Sequence, residues 1–370
     1  MHCAHLTDRP DRCSDSKTQI PEPSEAIRSL AFMANLAAQE ATGTIDASRS
    51  PQQLLMELLA PHPDHSTFVL ALLAEDAPTS EPGPLGLPTL PLSDDETYRD
   101  ILGWAILTVP VHDNPHLIEA EIVVDVEYQP LPEEPLSAAA QQVWTALITE
   151  ISRVAQLLHR NHLVLWQQSA LSDSPATHSL GQLLVSHGFH EAHEELSVAF
   201  HADELAHQHH SCEIFVDANF PDDLATKVAD IYHLASLDIP HGELPCGPEQ
   251  WSRERLAAAT SHMRQVGTKN IHAIATDDAG TVTGLAEAYL PAGNTDIVDI
   301  GLLYVRPERR GAGLGAELAG ALAYAIQTHL VAVQRGYASI ATSNGAARAV
   351  AQKSGAREVS RNTAWLKILG

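Results

Sequence analysis

The segment best suited to chemistry is Val-Arg-Pro-Glu-Arg-Arg-Gly-Ala-Gly-Leu-Gly at 305–315. It joins an apolar stretch, Ile300 to Val305, to a run in which Leu314, Leu318, Leu322, Ile326 and Leu330 recur on one side. The spacing predicts strand, glycine turn, helix N-terminus. That geometry binds phosphorylated molecules, because glycine lets the backbone approach, unpaired N–H groups point at the anion, and the helix dipole adds positive potential. A Walker loop is excluded, since no lysine follows the last glycine. A dinucleotide fingerprint is excluded as well, since Gly311, Gly313 and Gly315 do not fit G-x-G-x-x-G.

Arg310-Gly311-Ala312-Gly313-Leu314-Gly315 does fit Q/R-x-x-G-x-G/A, with Val-x-Pro ahead of it. The segment resembles the acetyl-CoA pyrophosphate loop of the GNAT superfamily of N-acetyltransferases. A second stretch, 336–356, points the same way. Gly336 is expected to close the long helix, a short strand follows, and Asn344 is suited to cap a short helix ending at Gly355. The family commonly shows Asn-x-x-Ala-x-x-Leu-Tyr-Glu-Lys-x-Gly-Phe here. Asn344, Ala347, Lys353 and Gly355 match it, while the tyrosine is Ala351 and the phenylalanine is Ala356. In many members that tyrosine protonates the departing thiolate. Alanine cannot, so another group does so or the thiolate leaves unprotonated, with a thiol pKa of roughly 8.5.

The resemblance implies acetyl-CoA as co-substrate and direct attack of an amine on its thioester. Leu303, Tyr304 and Val305 are implied contacts of the pantetheine amides and the source of the oxyanion donor, and Asn344 is an implied cofactor contact. Attack requires a neutral amine, and hence a proton acceptor. Glu287, inside Gly-Leu-Ala-Glu-Ala-Tyr-Leu, comes first. Two orientations are open: toward a cleft, where burial raises a carboxyl pKa, or toward solvent on the open face. Glu243 and His241, in Asp-Ile-Pro-His-Gly-Glu at 238–243, are the other candidates, because the corresponding loop borders the acceptor site in this fold.

The elements that must position these groups occur twice. Strands are expected at Thr67 to Ala74, Ile101 to Val111, Glu119 to Val126 and His162 to Trp166, with a helix from about Ser137 to Arg160. Gly103 parallels Gly284, Pro130 parallels Pro307 and Phe189 parallels Ala356, at offsets of 181, 177 and 167 residues. Slow drift of the offset is what a duplicated domain with altered loops gives. The first copy lacks the phosphate loop: Glu133 falls where Arg310 sits, and Pro135 removes a donor. Residues 23–200 are therefore expected to be a degenerate domain that binds no cofactor, serving a structural role or forming one wall of the substrate cleft. Residues 212–370 form the acetyl-CoA-binding domain. The fold class is α/β (α+β): two tandem GNAT domains, each a mixed, largely antiparallel twisted sheet flanked by helices. The arrangement resembles tandem members of actinobacterial type and, more distantly, mycothiol synthase.

Residues 1–22 are polar and Pro-rich and are expected to be a disordered tail. Residues 77–97 read as a long surface loop. Residues 201–211 read as a solvated linker despite His201, His207, His209 and His210, because nothing fixes the geometry a metal needs; Cys3, Cys13, His2 and His5 read the same way. No metal is expected.

Charge divides unevenly. The chain has 47 acids and 22 bases; residues 212–370 hold 17 and 14 of them, for a net of −3, which leaves −22 on residues 1–211. A polyanionic cofactor is repelled by the first part and tolerated by the second, near Arg306, Arg309 and Arg310. No basic face suits nucleic acid. No apolar run reaches the length of a membrane span. Four scattered cysteines and no signal-peptide core suit a cytoplasmic enzyme, monomer or homodimer. Three functions stay open: N-acetylation of a small amine, an aminoglycoside-like compound or a peptide amine; transfer of another acyl group on the same scaffold; or non-catalytic CoA binding, which Ala351 favours.

Overall fold

The computed structural model describes residues 1–8, 21–74, 82–130, 134–174, 178–201 and 212–370. Its first half contains β1 (His2–Thr7), α1 (Glu25–Thr42), α2 (Pro51–Leu59), β2 (His65–Leu73), β3 (Thr89–Pro91), β4 (Ile101–Pro110), β5 (Leu117–Val124), α3 (Ala138–Leu157), β6 (His162–Ala170), α4 (Ser179–Ser186) and β7 (His190–His201). The second half repeats that order without β3: β8 (Glu213–Val216), α5 (Asp222–Asp238), α6 (Arg253–Val266), β9 (Lys269–Thr276), β10 (Val282–Leu290), β11 (Ile297–Val305), α7 (Leu314–His329), β12 (Arg335–Ala341), α8 (Gly345–Lys353) and β13 (Arg357–Ile368). The fold class is thus the expected one, a mixed and mostly antiparallel sheet flanked by helices.

The repeat extends to packing. A Cβ on Gly103 would meet Leu147 of α3 and the carbonyl of Val123 at 3.0 Å. A Cβ on Gly284 would meet Leu318 of α7 at 2.7 Å and the carbonyl of Tyr304 at 2.9 Å. In both halves the long helix presses on the sheet at a glycine.

One sheet of thirteen strands runs β3-β1-β2-β4-β5-β6-β13-β7-β12-β11-β10-β9-β8. Its centre was not legible in the repeat. β7, from the first half, pairs with β12 of the second. β13, from the second half, pairs with β6 of the first. The two exchanged strands also pair with each other. The order β6-β13-β7-β12 reads the same when the copies are interchanged, so each half is completed by the other's last strand. Trp365 in β13 is buried in the core of the first half and donates through Nε1 to Gln167 Oε1 at 2.9 Å.

Several expectations need correction. Residues 2–7 are not a disordered tail: they form β1, paired with β2 and β3, because Ala4 and Leu6 alternate inward. Residues 82–93 are not plain surface loop, since Leu85, Leu87, Leu90 and Leu92 are buried and 89–91 form a strand. Gly336 does not close the long helix. α7 ends at His329, and Gly336 lies inside β12 beneath the Phe200 ring. Glu133, Cys13, His207, His209 and His210 fall outside the described residues.

α7 packs as its spacing requires. Leu318, Leu322 and Ile326 are buried against Val298 of β11 and Ile271 of β9. Each such side chain contributes roughly 1.5–3 kcal/mol. The opposite face of the same sheet carries α5 and α6, with Val228, Ile231 and Leu256 packed on Leu285 and Tyr304.

Candidate functional site

β11 is paired with β10 as far as Val305, but with β12 only over Ile297–Ile300. Beyond Ile300 the two parallel strands diverge, and one edge of β11 from Gly301 to Val305 is open. Leu303, Tyr304 and Val305 lie on that stretch, where alternate main-chain groups face the opening.

The glycine turn closes the wide end of this fork. Gly311 and Gly313 have φ of 80° and 90°, the left-handed region that glycine enters without a Cβ penalty. Gly313 is the N-cap of α7, and no side chain caps the helix. Among the described residues the N–H groups of Gly311, Ala312, Gly313, Leu314 and Gly315 have no acceptor. Gly311, Ala312 and Gly313 are exposed. A row of free donors at the positive end of a sixteen-residue helix fits a diphosphate. The equivalent helix of the first half differs: Ser137 caps α3 and accepts from Ala140 N at 3.1 Å. One donor that an anion would need is already used there.

Arg310 does not supply a free charge. Its guanidinium lies 2.7 Å from Asp238 Oδ2 at the end of α5, donates through Nε to the Val305 carbonyl at 2.8 Å, and rests 5.5 Å from the Tyr304 ring centre. The Tyr304 hydroxyl donates to the same Asp238 oxygen at 2.9 Å. Burial first, then the Asp238 contact, push the Tyr304 phenol up to about 12. Arg310 thus ties the loop to α5. Asn344 caps α8, accepting from Ala347 N at 3.1 Å, as its position in the sequence implied. Ala351 lines a recess between α8 and the sheet, with Ile340, Leu196 and Ala356 around it.

On the α5 face, a cavity of about 280 Å³ reaches Leu302 of β11 and is lined by Tyr232, His241, Trp251, His272 and Glu287, among others. Glu287 and His241 are therefore brought to one place. Glu243 is not: its carboxylate is exposed and lies 3.5 Å from His190 Nε2.

Glu287 does not face open solvent. It is 4 % exposed, and its carboxylate is saturated. Oε1 accepts from Leu302 N at 3.0 Å, Oε2 accepts from the Tyr232 hydroxyl, and His272 Nε2 stands 3.4 Å from Oε2. The first contact exists because β11 bulges against β10, so that Gly301 and Leu302 both face the α5 side. The bulge frees the Leu302 N–H from the ladder and hands it to the carboxylate. Burial pushes the Glu287 carboxyl up, but the His272 hydrogen bond and charge, Tyr232 and Leu302 together outweigh it and hold the group below the usual carboxylate range. The expected rise in its pKa is thus reversed. Burial and the neighbouring carboxylate push Tyr232 and Tyr289 far above the ordinary phenol range.

Sequence reasoning missed Gly301, Tyr232, His272 and Tyr289. A glycine inside an otherwise apolar strand was the one available signal, since it marks a bulge or a close approach. His272 lies directly opposite Glu287 in the β9–β10 ladder, a pairing no local pattern reveals.

Among the described residues no group of three His, Cys, Asp or Glu side chains is placed to hold a metal, and no helix is long and apolar enough to cross a membrane.

Residues 231–356 match the family model described as Acetyltransferase (GNAT) family. No curated protein matches the chain in sequence. Among solved structures, a tandem GNAT protein from the clavulanic acid biosynthesis pathway, solved without AcCoA, superimposes with a TM-score of 0.70 at 16% identity, over 100% of this chain and 98% of that one. A GCN5-related N-acetyltransferase from Sphaerobacter thermophilus gives a TM-score of 0.58 at 15% identity, over 94% of each chain. At such identities the likeness establishes the fold. Residues 231–356 thus match the GNAT acetyltransferase family model, and the chain over its whole length has the fold of a tandem GNAT protein.

Proposed function

We propose that the protein is an acetyl-CoA-dependent N-acetyltransferase that moves an acetyl group to a primary amine by direct attack in a ternary complex. The observation that carries this reading is the row of unpaired N–H groups from Gly311 to Gly315 at the mouth of the β11–β12 fork. The diphosphate sits on that row, the pantetheine arm lies along Leu303–Val305, and the thioester reaches the fork near Leu302. A main-chain N–H of this strand stabilises the oxyanion. The first half binds no coenzyme A, because Ser137 occupies the equivalent helix end.

Glu287 stays ionised at neutral pH and places negative charge beside the thioester, where it draws a cationic amine. His241 lines the same cavity and is the proton acceptor. Glu243, exposed and outside it, has no role in the chemistry. Thiol release with acetyl-CoA across a panel of primary amines, together with calorimetric titration of coenzyme A, tests the reading. Binding and amine-dependent release are expected. Binding without release from any amine would favour the scaffold reading that Ala351 raises, and faster release from propionyl- or succinyl-CoA would replace the acetyl group with a larger one.

A further inference from the structure

Among the described residues the lining of the Glu287 cavity comes from the second half alone. One of its walls, the connection 239–252 between α5 and α6, is nevertheless laid out on the first half. It supplies His241, Glu249 and Trp251 to the lining. Gly242, at φ 60°, crosses β7 so closely that a Cβ would strike the Ala192 carbonyl, and Glu243 N donates to that same carbonyl at 2.7 Å. Leu244 and Cys246 pack on Leu117 of β5 and Val164 of β6. His116 Nε2 lies 2.9 Å from the Pro245 carbonyl, Gly247 N donates to Asn114 Oδ1 at 2.7 Å, and Gln250 N donates to Asp113 Oδ1 at 3.2 Å.

Arg255, in the first turn of α6, gathers these contacts. Its Nε donates to Asp64 Oδ1 at 2.7 Å and its Nη1 to Asp113 Oδ2, both in the first half; Nη1 also donates to the Gln250 carbonyl at 2.8 Å. The Arg255 and Asp113 side chains are each 13 % exposed, so salt screens this pair little. The guanidinium lies 4.3 Å from the Trp251 ring centre, the Trp251 ring lies 4.9 Å from that of Tyr232, and the Tyr232 hydroxyl donates to Glu287. An unbroken run of contacts joins two carboxylates of the first half to the buried carboxylate of the cavity.

The arrangement has a mirror image. The first half's own connection, residues 43–50 between α1 and α2, is held by the second half through buried Asp46: Arg335 Nε approaches its Oδ2 to 2.7 Å, and the Tyr337 hydroxyl donates to it. Ser48 and Arg49 of that connection line a separate cavity with Asp299. Each half thus holds the other's first helix connection, but the second half's connection is the one that reaches Glu287.

We propose that the first half is a clamp on the wall of the Glu287 cavity, with Arg255 as the positioning residue and Asp64 and Asp113 as its anchors. The inference rests on the acetyltransferase reading above and gives the half without the glycine turn a function in the reaction: it fixes His241 and Trp251 relative to Glu287. A planar guanidinium that meets two carboxylates from separate loops holds direction as well as distance, which a lysine ammonium does not. Reacting groups misplaced by about 1 Å lose on the order of a hundredfold in rate, so a wall free to shift on that scale would slow transfer while leaving the diphosphate turn, on the other side of the sheet domain, as it is.

The test compares wild type, Arg255→Lys, Asp113→Asn and, at the mirror contact, Asp46→Asn. Hydrogen exchange reads the amides of 239–252. Thiol release with the amine that wild type turns over fastest gives kcat and KM, and calorimetry counts coenzyme A sites, so that rates refer to folded molecules. Arg255→Lys and Asp113→Asn should each speed exchange in 239–252 and lower kcat/KM by about tenfold or more, with coenzyme A affinity unchanged. Asp46→Asn should lower the urea midpoint and leave exchange in 239–252 and kcat/KM per site as in wild type. An ion pair with a merely structural role would move the midpoint alone. If Arg255→Lys does not fold, Asp113→Asn decides. Unchanged exchange or unchanged kcat/KM per site in the folded clamp variants, or an equal loss of kcat/KM in Asp46→Asn, overturns the clamp and leaves the acetyltransferase reading standing. Absence of amine-dependent release in wild type overturns that reading, and with it the clamp's part in the reaction.

Discussion

The carboxylate of Glu287 stands over Gly301, so close that a Cβ on that glycine would lie 2.6 Å from Oε1 and from the Tyr289 ring. The bulge, the buried carboxylate and the glycine are one device. Gly301→Ala is expected to destabilise the fold by about 1–3 kcal/mol through overpacking. Denaturant unfolding measures this, and Glu287→Gln should cost about as much, because the amide offers a donor where Tyr232 already donates.

Glu287 also sets a pH response. Its folded pKa is lowered, so its contribution to stability is complete above the unfolded carboxylate value and is lost as pH falls through the folded one. Midpoints of urea unfolding measured from pH 7 to pH 3 should therefore converge between wild type and Glu287→Gln at the acid end. Parallel curves throughout would contradict the assignment.

Gly313 answers a different question, because nothing lies within 4 Å of its Cβ position. Gly313→Ala meets only the backbone cost of φ 90°, about 1–2 kcal/mol. If the free N–H groups hold the diphosphate, calorimetry should show coenzyme A affinity falling at least tenfold as the loop relaxes. Ser137→Gly in the first half, which uncaps α3, should leave it unchanged.

Three histidines meet where the halves touch. His62 stacks on His65 at 3.8 Å and meets His262 of α6 at 4.5 Å. Burial first, then the other two rings, push His62 down to about 4, with Asp64 opposing. Below pH 6.5 the unfolded chain binds protons that the folded chain refuses, so stability should fall as pH drops from 6.5 to about 4. His62→Phe should flatten that slope in thermal unfolding scans.

Strand exchange predicts that neither half folds alone. A chain cut within 202–211 should yield two fragments that show no cooperative unfolding separately. Each lacks a strand that its partner supplies: β13 for the first and β7 for the second. Mixed, the fragments should co-elute on size exclusion and regain one transition. An independently folded 212–370 fragment would sink this account of the sheet.

Much of the site was legible because it is local. Three glycines and a following helix stripe fix the turn and the free N–H row by short-range sterics alone, and Asn344 caps its helix as its spacing demands. The duplication was legible because strand and helix periods recur in the same order. Residues 2–7 escaped because a short strand with two inward alanine and leucine residues carries too little pattern to separate it from a polar tail.

What the sequence by itself determined is therefore the glycine turn, the helix behind it and the presence of two related halves, all products of interactions between near neighbours in the chain. Only the tertiary structure decided that β7 and β13 change places, that His272 and Tyr232 lower the pKa of Glu287 rather than letting burial raise it, and that Asp299, Arg49 and Ser48 line one cavity. Those contacts join residues far apart in the chain. Their energies depend on pairing and desolvation that no local spacing encodes.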